Sequence, residues 1–343
     1  MDTRKELEKL VNSIVLKKFN LPINLEGQQN PMLFELFNHN FISRMNEKKL
    51  LLPNFEKTET VCILSDYGGE ASNSRYLTYS TTLVDYDFLG LNYVNAIKEI
   101  REKHGLNKPY KEIAFKDLRY GPIERALDEY LNMIDLSVNG LVFTLIVDKS
   151  VYSLFGENSP NTRKRIAEAL ENEGFGGWKP KTAEKLQRII TPIAYLTNLL
   201  IPYGKKLFWM TDEDSIIAKP EQHVACGKYF NSAIHQFKGA NYPTVGYAKP
   251  FEKGTDVLLL DLLSISDLVA GAIEHFYTRE ATQEDLTISN GANKILMWHA
   301  NQGIAFKKLA FKIKYEDNKL SGGFVDFTLC NPLENVDYID IIM

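Results

Sequence analysis

The stretch TVCILSD, residues 60–66, decides the fold. Val61, Cys62, Ile63 and Leu64 place apolar side chains on both alternating faces, the mark of a strand covered on both sides. The run ends on Asp66, and Tyr67-Gly68-Gly69 supplies a turn. RYLTYSTTLVD (75–85) follows, rich in Tyr, Thr and Val, so the pair predicts a hairpin. Two later runs read like the first: GLVFTLIVD (140–148), and KKLFWMTDED (205–214), which stays apolar on both faces until Asp212. YPTVGYAKP (242–250) predicts a short further strand.

Helical patterns fill the intervals. YVNAIKEIREKHG stops at Gly105, and GPIERALDEYLNMI carries Pro122 where a first-turn proline belongs. Residues 159–200 are mostly helical, opened by Ser159-Pro160, interrupted at Gly174 and bent near Pro192. HVACGKYFNSAIHQF (223–237) and the largely apolar DVLLLDLLSISDLVAGAIEHFYT (256–278) complete the set. At the N-terminal end, Leu7, Leu10, Val11, Ile14 and Val15 recur at helical spacing, and Pro31 can open a second helix, LFELFNHNFISRM. At the other end, AFKKLAFKIKY and GGFVDFTL predict a hairpin. The expected fold class is α/β: a mixed sheet, antiparallel hairpin plus parallel strands, flanked by helices. The expected organisation is a helical N-terminal arm (1–55), a core (56–278) and a C-terminal β-hairpin appendage (279–343).

Composition narrows the function classes. Of 343 residues, 44% are hydrophobic and 24% charged, the profile of an ordinary folded domain and not of a disordered chain. With 40 Lys+Arg against 44 Asp+Glu the formal charge is −4, so any polyanion must be held by local basic patches. Cys62, Cys226 and Cys330 are odd in number and lack zinc spacing, which points to a reducing compartment. No run reaches the ~18 apolar residues of a membrane span, and the first residues carry charges throughout; the expectation is a cytoplasmic protein without a membrane partner. GxxxxGK[ST], GxGxxG after a strand, GxSxG, HExxH and paired CxxC are all absent from the sequence. The six histidines do not cluster at ligand spacing.

The acids are placed more suggestively. Asp66 closes the first buried strand; Asp212, with Asp214 just after it, closes the LFWMT strand; Asp267 sits inside the apolar helix; Glu112 lies in KEIAFKDLRYG between helices. A mid-helix Asp among Leu262, Leu263, Leu268 and Val269 is a poor helix former and at least partly buried, so it needs a cation, a donor or a proton. Residues 267, 270, 271 and 274 (Asp, Ala, Gly, Glu) share one helical face, on which the small residues allow close approach to a sheet. Neighbouring strands lie ~4.8 Å apart. Carboxylates at adjacent C-terminal strand ends can therefore grip a hard cation such as Mg2+ or Mn2+. Each acid also has an ordinary reading: a turn or cap for Asp66 and Asp212, a salt bridge for Asp267, a solvated acid for Glu112. The functional expectation rests on the set, in this order and on these elements.

That order resembles the ribonuclease-H-like fold. More narrowly, SDYGGE, EIAFKDLR, FWMTDED and SISDLVAGA are similar to the motifs of an uncharacterised bacterial and phage family of that superfamily, over roughly residues 60–278. Its members read as an Asp-Glu-Ser-Gly turn, a Glu-x-Lys segment, a strand ending in Asp and a Gln-x-Ala-Asp helix. Here Tyr67, Ala114 and Ser266 depart from that pattern, while Asp66, Glu112, Asp212 and Asp267 keep it. The resemblance implies a divalent-metal-dependent nuclease, with Mg2+ or Mn2+ held by Asp66, Asp212, Asp267 and Glu112, and a role in antiviral defence. Asp214 is the alternative to Asp212.

A nucleic-acid partner would need cations. Arg163, Lys164 and Arg165 are consecutive on a helix; Lys179, Lys181, Lys185 and Arg188 follow, beside Phe175 and Trp178. Lys308, Lys312 and Lys314 alternate with apolar residues in the C-terminal hairpin. Arg163, Lys164, Arg165, Lys312 and Lys314 are the expected phosphate contacts. The competing expectation is a non-catalytic nucleic-acid-binding or assembly subunit. Its N-terminal arm or C-terminal appendage would then meet a protein partner.

Overall fold

Alternating strands and amphipathic helices leave two apolar sheet faces to cover, and the chain covers both. The computed structural model describes residues 21–22, 32–47, 49–107, 110–250, 257–282, 288–316, 319–329 and 339–342. In chain order the elements are α1 (Met32–Asn46), β1 (Thr60–Gly68), β2 (Tyr76–Asp85), α2 (Leu91–His104), α3 (Gly121–Ser137), β3 (Gly140–Asp148), α4 (Pro160–Asn172), α5 (Pro180–Leu200), β4 (Lys206–Thr211), α6 (Pro220–Ile234), β5 (Thr244–Ala248), α7 (Val257–Thr282), α8 (Asn290–Ala300), β6 (Phe306–Glu316), β7 (Lys319–Leu329) and β8 (Ile339–Ile342). The helix expected around Leu7–Val15, Pro31 and Cys330 lie outside the described residues.

The strands form one mixed sheet in the order β5-β4-β1-β2-β3-β6-β7-β8. β1, β2 and β3 are antiparallel neighbours, as the hairpin reading requires. β4 lies parallel to β1, and β5 parallel to β4. The alternation of β1 sorts its side chains into two cores. Val61 and Ile63 join the core under α1, α4, α5 and α6. Cys62 and Leu64 join the one under α2, α3, α7 and α8.

The local signals act as their chemistry demands. α2 ends where Gly105 takes φ +71°, which returns its N–H to the carbonyls of Arg101 and Glu102. The Ser159 hydroxyl accepts the Thr162 N–H at the start of α4. α7 carries a buried ion pair, in which Arg101 Nε donates to Asp261 Oδ2 at 2.8 Å.

The described parts of both terminal segments join the same body. Phe37 of α1 meets Phe143 of β3 and Phe311 of β6 edge-on, at centroid distances of 5.7 and 5.0 Å. The hairpin expected as an appendage continues the sheet instead. β6 runs parallel to β3, with Gly140 opposite Phe306 and Val147 opposite Ile313. The physical reason is that the far edge of β3 would otherwise present unpaired backbone groups beside an apolar face.

Candidate functional site

The site begins with strand register. β1 and β4 pair in parallel with Ser65 opposite Thr211, and the Asp212 N–H donates to the Ser65 carbonyl at 3.0 Å. Asp66 and Asp212 are therefore neighbours at the C-terminal ends of adjacent strands, separated by about one strand spacing, ~4.8 Å. Both fall on the alternation that carries Cys62, Leu64 and Met210, so both belong to the face covered by α7.

α7 crosses β1 and β2 at close range because its facing residues are small. Ser266 Oγ donates to the Leu64 carbonyl at 3.0 Å and also bonds Thr82 Oγ1 at 2.8 Å. One turn on, the Ala270 carbonyl accepts Thr78 Oγ1 at 3.0 Å. A Cβ on Gly68 would lie 2.6 Å from Thr78 Oγ1 and 3.4 Å from the Ala270 carbonyl oxygen. Between these anchors α7 presents Asp267. Ser266 supplies one of the anchors.

A fourth acid arrives on a separate segment. Phe115–Asp117 is a turn of 3-10 helix, and the Phe115 N–H donates to Asp267 Oδ2 at 2.7 Å. The Phe115 ring lies against Gly271, where an added Cβ would come within 2.3 Å of it. Lys111 closes the segment by pairing with Asp117 at 2.6 Å. Glu112 is part-buried on this segment and Lys116 is exposed.

Electrostatics show that the acids sense one another. Burial, then the charges of Asp267 and Asp212, hold the Asp66 carboxyl well above its usual range, against a hydrogen bond from the Tyr67 N–H at 2.6 Å. Burial raises Asp212 to about 6, with Glu112 adding repulsion and Lys116 opposing it. Burial raises Asp267 to about 7; the Phe115 N–H works against the shift, and Glu112 and Asp212 add to it. Among the described residues none of these three aspartates is in an ion pair, and no three His, Cys, Asp or Glu side chains stand close enough together to hold a metal ion. Asp66, Asp212 and Asp267 lie close enough to feel one another's charge, and each accepts a backbone N–H, from Tyr67, Glu213 and Phe115 respectively.

Other sequence candidates go elsewhere. Asp214 pairs with Lys185 at 2.6 Å, so it is Asp212 that neighbours the other acids. Glu274 accepts Ser74 Oγ and Thr278 Oγ1. In the expected phosphate-binding set, Arg163 donates to the Tyr152 carbonyl and stacks on its ring, and Arg165 lies 3.7 Å from Glu157. Lys314 pairs with Glu316, while Lys312 sits over the rings of Tyr76 and Tyr277 at 5.0 and 4.0 Å. Lys164 is exposed. The continuous basic faces read from sequence are corrected in three places. Lys308 is buried against Asp135 and the Trp298 ring, Arg188 against Glu184, and Lys185 against Asp214 and Glu70. All three alternate or recur at the right spacing, but their stems follow apolar neighbours into the core. Trp178 is buried and donates to the Phe175 carbonyl, so it is no exposed stacking platform.

Sequence reading missed the role of Phe115 and Gly271. The only signal was a glycine one turn after Asp267, whose close approach was expected toward a sheet and is made instead to a ring.

No protein-family profile matches the chain, and no curated protein matches it. Among solved structures, the ribonuclease H2 from Pyrococcus horikoshii OT3 is similar over 70% of this chain and 85% of that chain, with 13% identity and a TM-score of 0.32. A likeness this loose carries no argument; the chain is a mixed α/β protein whose functional reading rests on the geometry of its own acids.

Proposed function

We infer that this chain is a divalent-metal-dependent nuclease with a ribonuclease-H-like core. The observation that supports the reading is the register that sets Asp66 and Asp212 on neighbouring parallel strands, together with the charge that Asp267, on the helix crossing them, exerts on Asp66. Three carboxylates raised by burial and mutual repulsion need either protons or a cation. A donor set made only of carboxylate oxygens fits Mg2+ or Mn2+ and disfavours softer metals. Asp66, Asp212 and Asp267 would hold the ions. Ions held there supply Lewis acidity for attack at phosphorus and stabilise the leaving oxygen.

The remaining work falls to the chain. Asp66, whose carboxyl feels the charges of both Asp267 and Asp212, would be one of the ligands. The Phe115 N–H fixes one oxygen of Asp267 and orients the other. Glu112, on its own segment, can receive a proton from an attacking water or complete the ligand set. Lys116 offsets charge at Asp212 and Asp267 and is free to meet a phosphate from solvent.

One observation favours a second reading, a nucleic-acid-binding or assembly subunit with this fold: among the described residues the acids are not drawn together as a cage. Labelled DNA and RNA oligonucleotides incubated with Mg2+, Mn2+ or EDTA separate the two. Metal-dependent cleavage abolished by Asp66→Ala supports the nuclease. Binding without cleavage under every metal condition refutes it.

A further inference from the structure

The back of the acid site is braced by a network that no acid of the site belongs to. On the face of β1 and β4 opposite Asp66 and Asp212, Tyr67 Oη bonds Ser65 Oγ at 2.8 Å and Thr211 Oγ1 at 2.6 Å. Trp209 Nε1 donates to the same Ser65 Oγ at 2.9 Å. Ser65 and Thr211 each immediately precede an acid of the site, so this cross-tie fixes the two strands one residue before both carboxylates.

Lys185, from α5, extends the tie into the loops. Its side chain is 8% exposed, and its ammonium lies 5.3 Å from the centre of the Tyr67 ring. Nζ donates to Asp214 Oδ2 at 2.6 Å and to Glu70 Oε1. Asp214 is two residues past Asp212 and Glu70 four past Asp66, so one cation holds both chain segments that leave the site. Asp214 is itself fixed, its Oδ1 accepting Ser215 Oγ at 2.8 Å and the Ile216 N–H at 3.3 Å.

We propose that Lys185 is a positioning residue for the metal site: by clamping Glu70 and Asp214 across the Tyr67 ring, it sets the separation of Asp66 and Asp212 and so the affinity for a divalent cation. This rests on the metal-site reading above. Lys185 touches neither the ions nor the substrate; it acts through the two loops. A buried lysine is a costly choice for structure alone, since methionine would fill the same space without desolvating a charge. Outer partners that orient ligands typically change metal affinity about 10–100-fold when removed.

The test measures free Mn2+ by its electron paramagnetic resonance signal during titration of the full chain, with Lys185→Met, Lys185→Arg and the parent compared. The parent should take up Mn2+, Lys185→Met should bind it about tenfold or more weakly, and Lys185→Arg should recover at least part of the loss. Circular dichroism confirms that each variant is folded. Should Lys185→Met fail to fold, the pair Glu70→Ala with Asp214→Ala removes the same contacts from their partly exposed ends and carries the same expectation. A parent that binds Mn2+ beside a folded Lys185→Met that binds it equally well overturns the positioning role and leaves the metal site standing. A parent that takes up no Mn2+ overturns both, and is recognised by the missing titration in every variant.

Discussion

Replacing Asp267 by Asn should stabilise the metal-free protein at alkaline pH. The carboxyl is raised from 3.8 to about 7 in the folded chain, with burial the largest cause. A group whose folded value is raised contributes its full stability below the unfolded value, and that contribution is lost as pH rises through the folded one. The native protein is therefore penalised above pH 7 and spared below pH 4. A tenfold change in acidity is worth about 1.4 kcal/mol, which sets a ceiling near ~4 kcal/mol; solvent reaching the part-exposed carboxylate reduces this to roughly 2 kcal/mol. Asn keeps an oxygen to accept the Phe115 N–H, so that bond survives the change. Urea unfolding in EDTA at pH 8 should show Asp267→Asn about 2 kcal/mol more stable than the parent, and at pH 4 nearly equal to it. Saturating Mn2+ should reverse the order at pH 8, because only the parent would gain from binding. A destabilised Asn variant at pH 8 in EDTA, or the same difference at both pH values, would refute the electrostatic account of the site.

Two further predictions concern the surroundings of the acids. Gly271→Ala places a methyl 2.3 Å from the Phe115 ring, which must shift the 112–117 segment; about 1–3 kcal/mol of stability and at least tenfold of Mn2+-dependent cleavage should be lost, and an unchanged cleavage rate in the variant would show that the segment has no part in the reaction. If Arg163, Lys164, Arg165, Lys312 and Lys314 meet phosphates, charge reversal should reduce the log–log salt slope of oligonucleotide binding by roughly 0.7–0.9 per lost contact. Slopes equal to the parent's would return these residues to solvent, to their tyrosine and acidic neighbours, or to a protein partner.

How much of this was legible in sequence depends on how far each signal travels. Strands β1, β3 and β4 were readable because apolar residues on both faces can only be satisfied between two layers, and β2 because Tyr, Thr and Val favour an extended chain after a glycine turn. The adjacency of β1 and β4 followed from two such runs each ending in Asp, and the Asp212-to-Ser65 hydrogen bond bears it out. The Asp267 face was readable because a carboxylate beside Ala270 and Gly271 in an apolar helix is unusual in itself. The choice between Asp212 and Asp214 was not readable, since it turns on Lys185 arriving from a helix 29 residues away. Nor could periodicity distinguish Lys308, buried on Asp135, from Lys314, which stays at the surface. Both occupy the same alternation in β6, and only the neighbouring α3 and α8 decide which one is enclosed. The joining of β6 to β3 was likewise hidden, because a parallel pairing between strands so far apart in the chain leaves no local mark.

The central claim is that Asp66, Asp212 and Asp267 form one cation site. A crystal of the parent protein soaked in Mn2+ and measured at the manganese absorption edge tests it most directly. The account predicts an anomalous peak enclosed by these three carboxylates, absent from an Asp66→Ala crystal treated identically. No peak there at a Mn2+ concentration that supports cleavage, or a peak elsewhere on the chain, would contradict it.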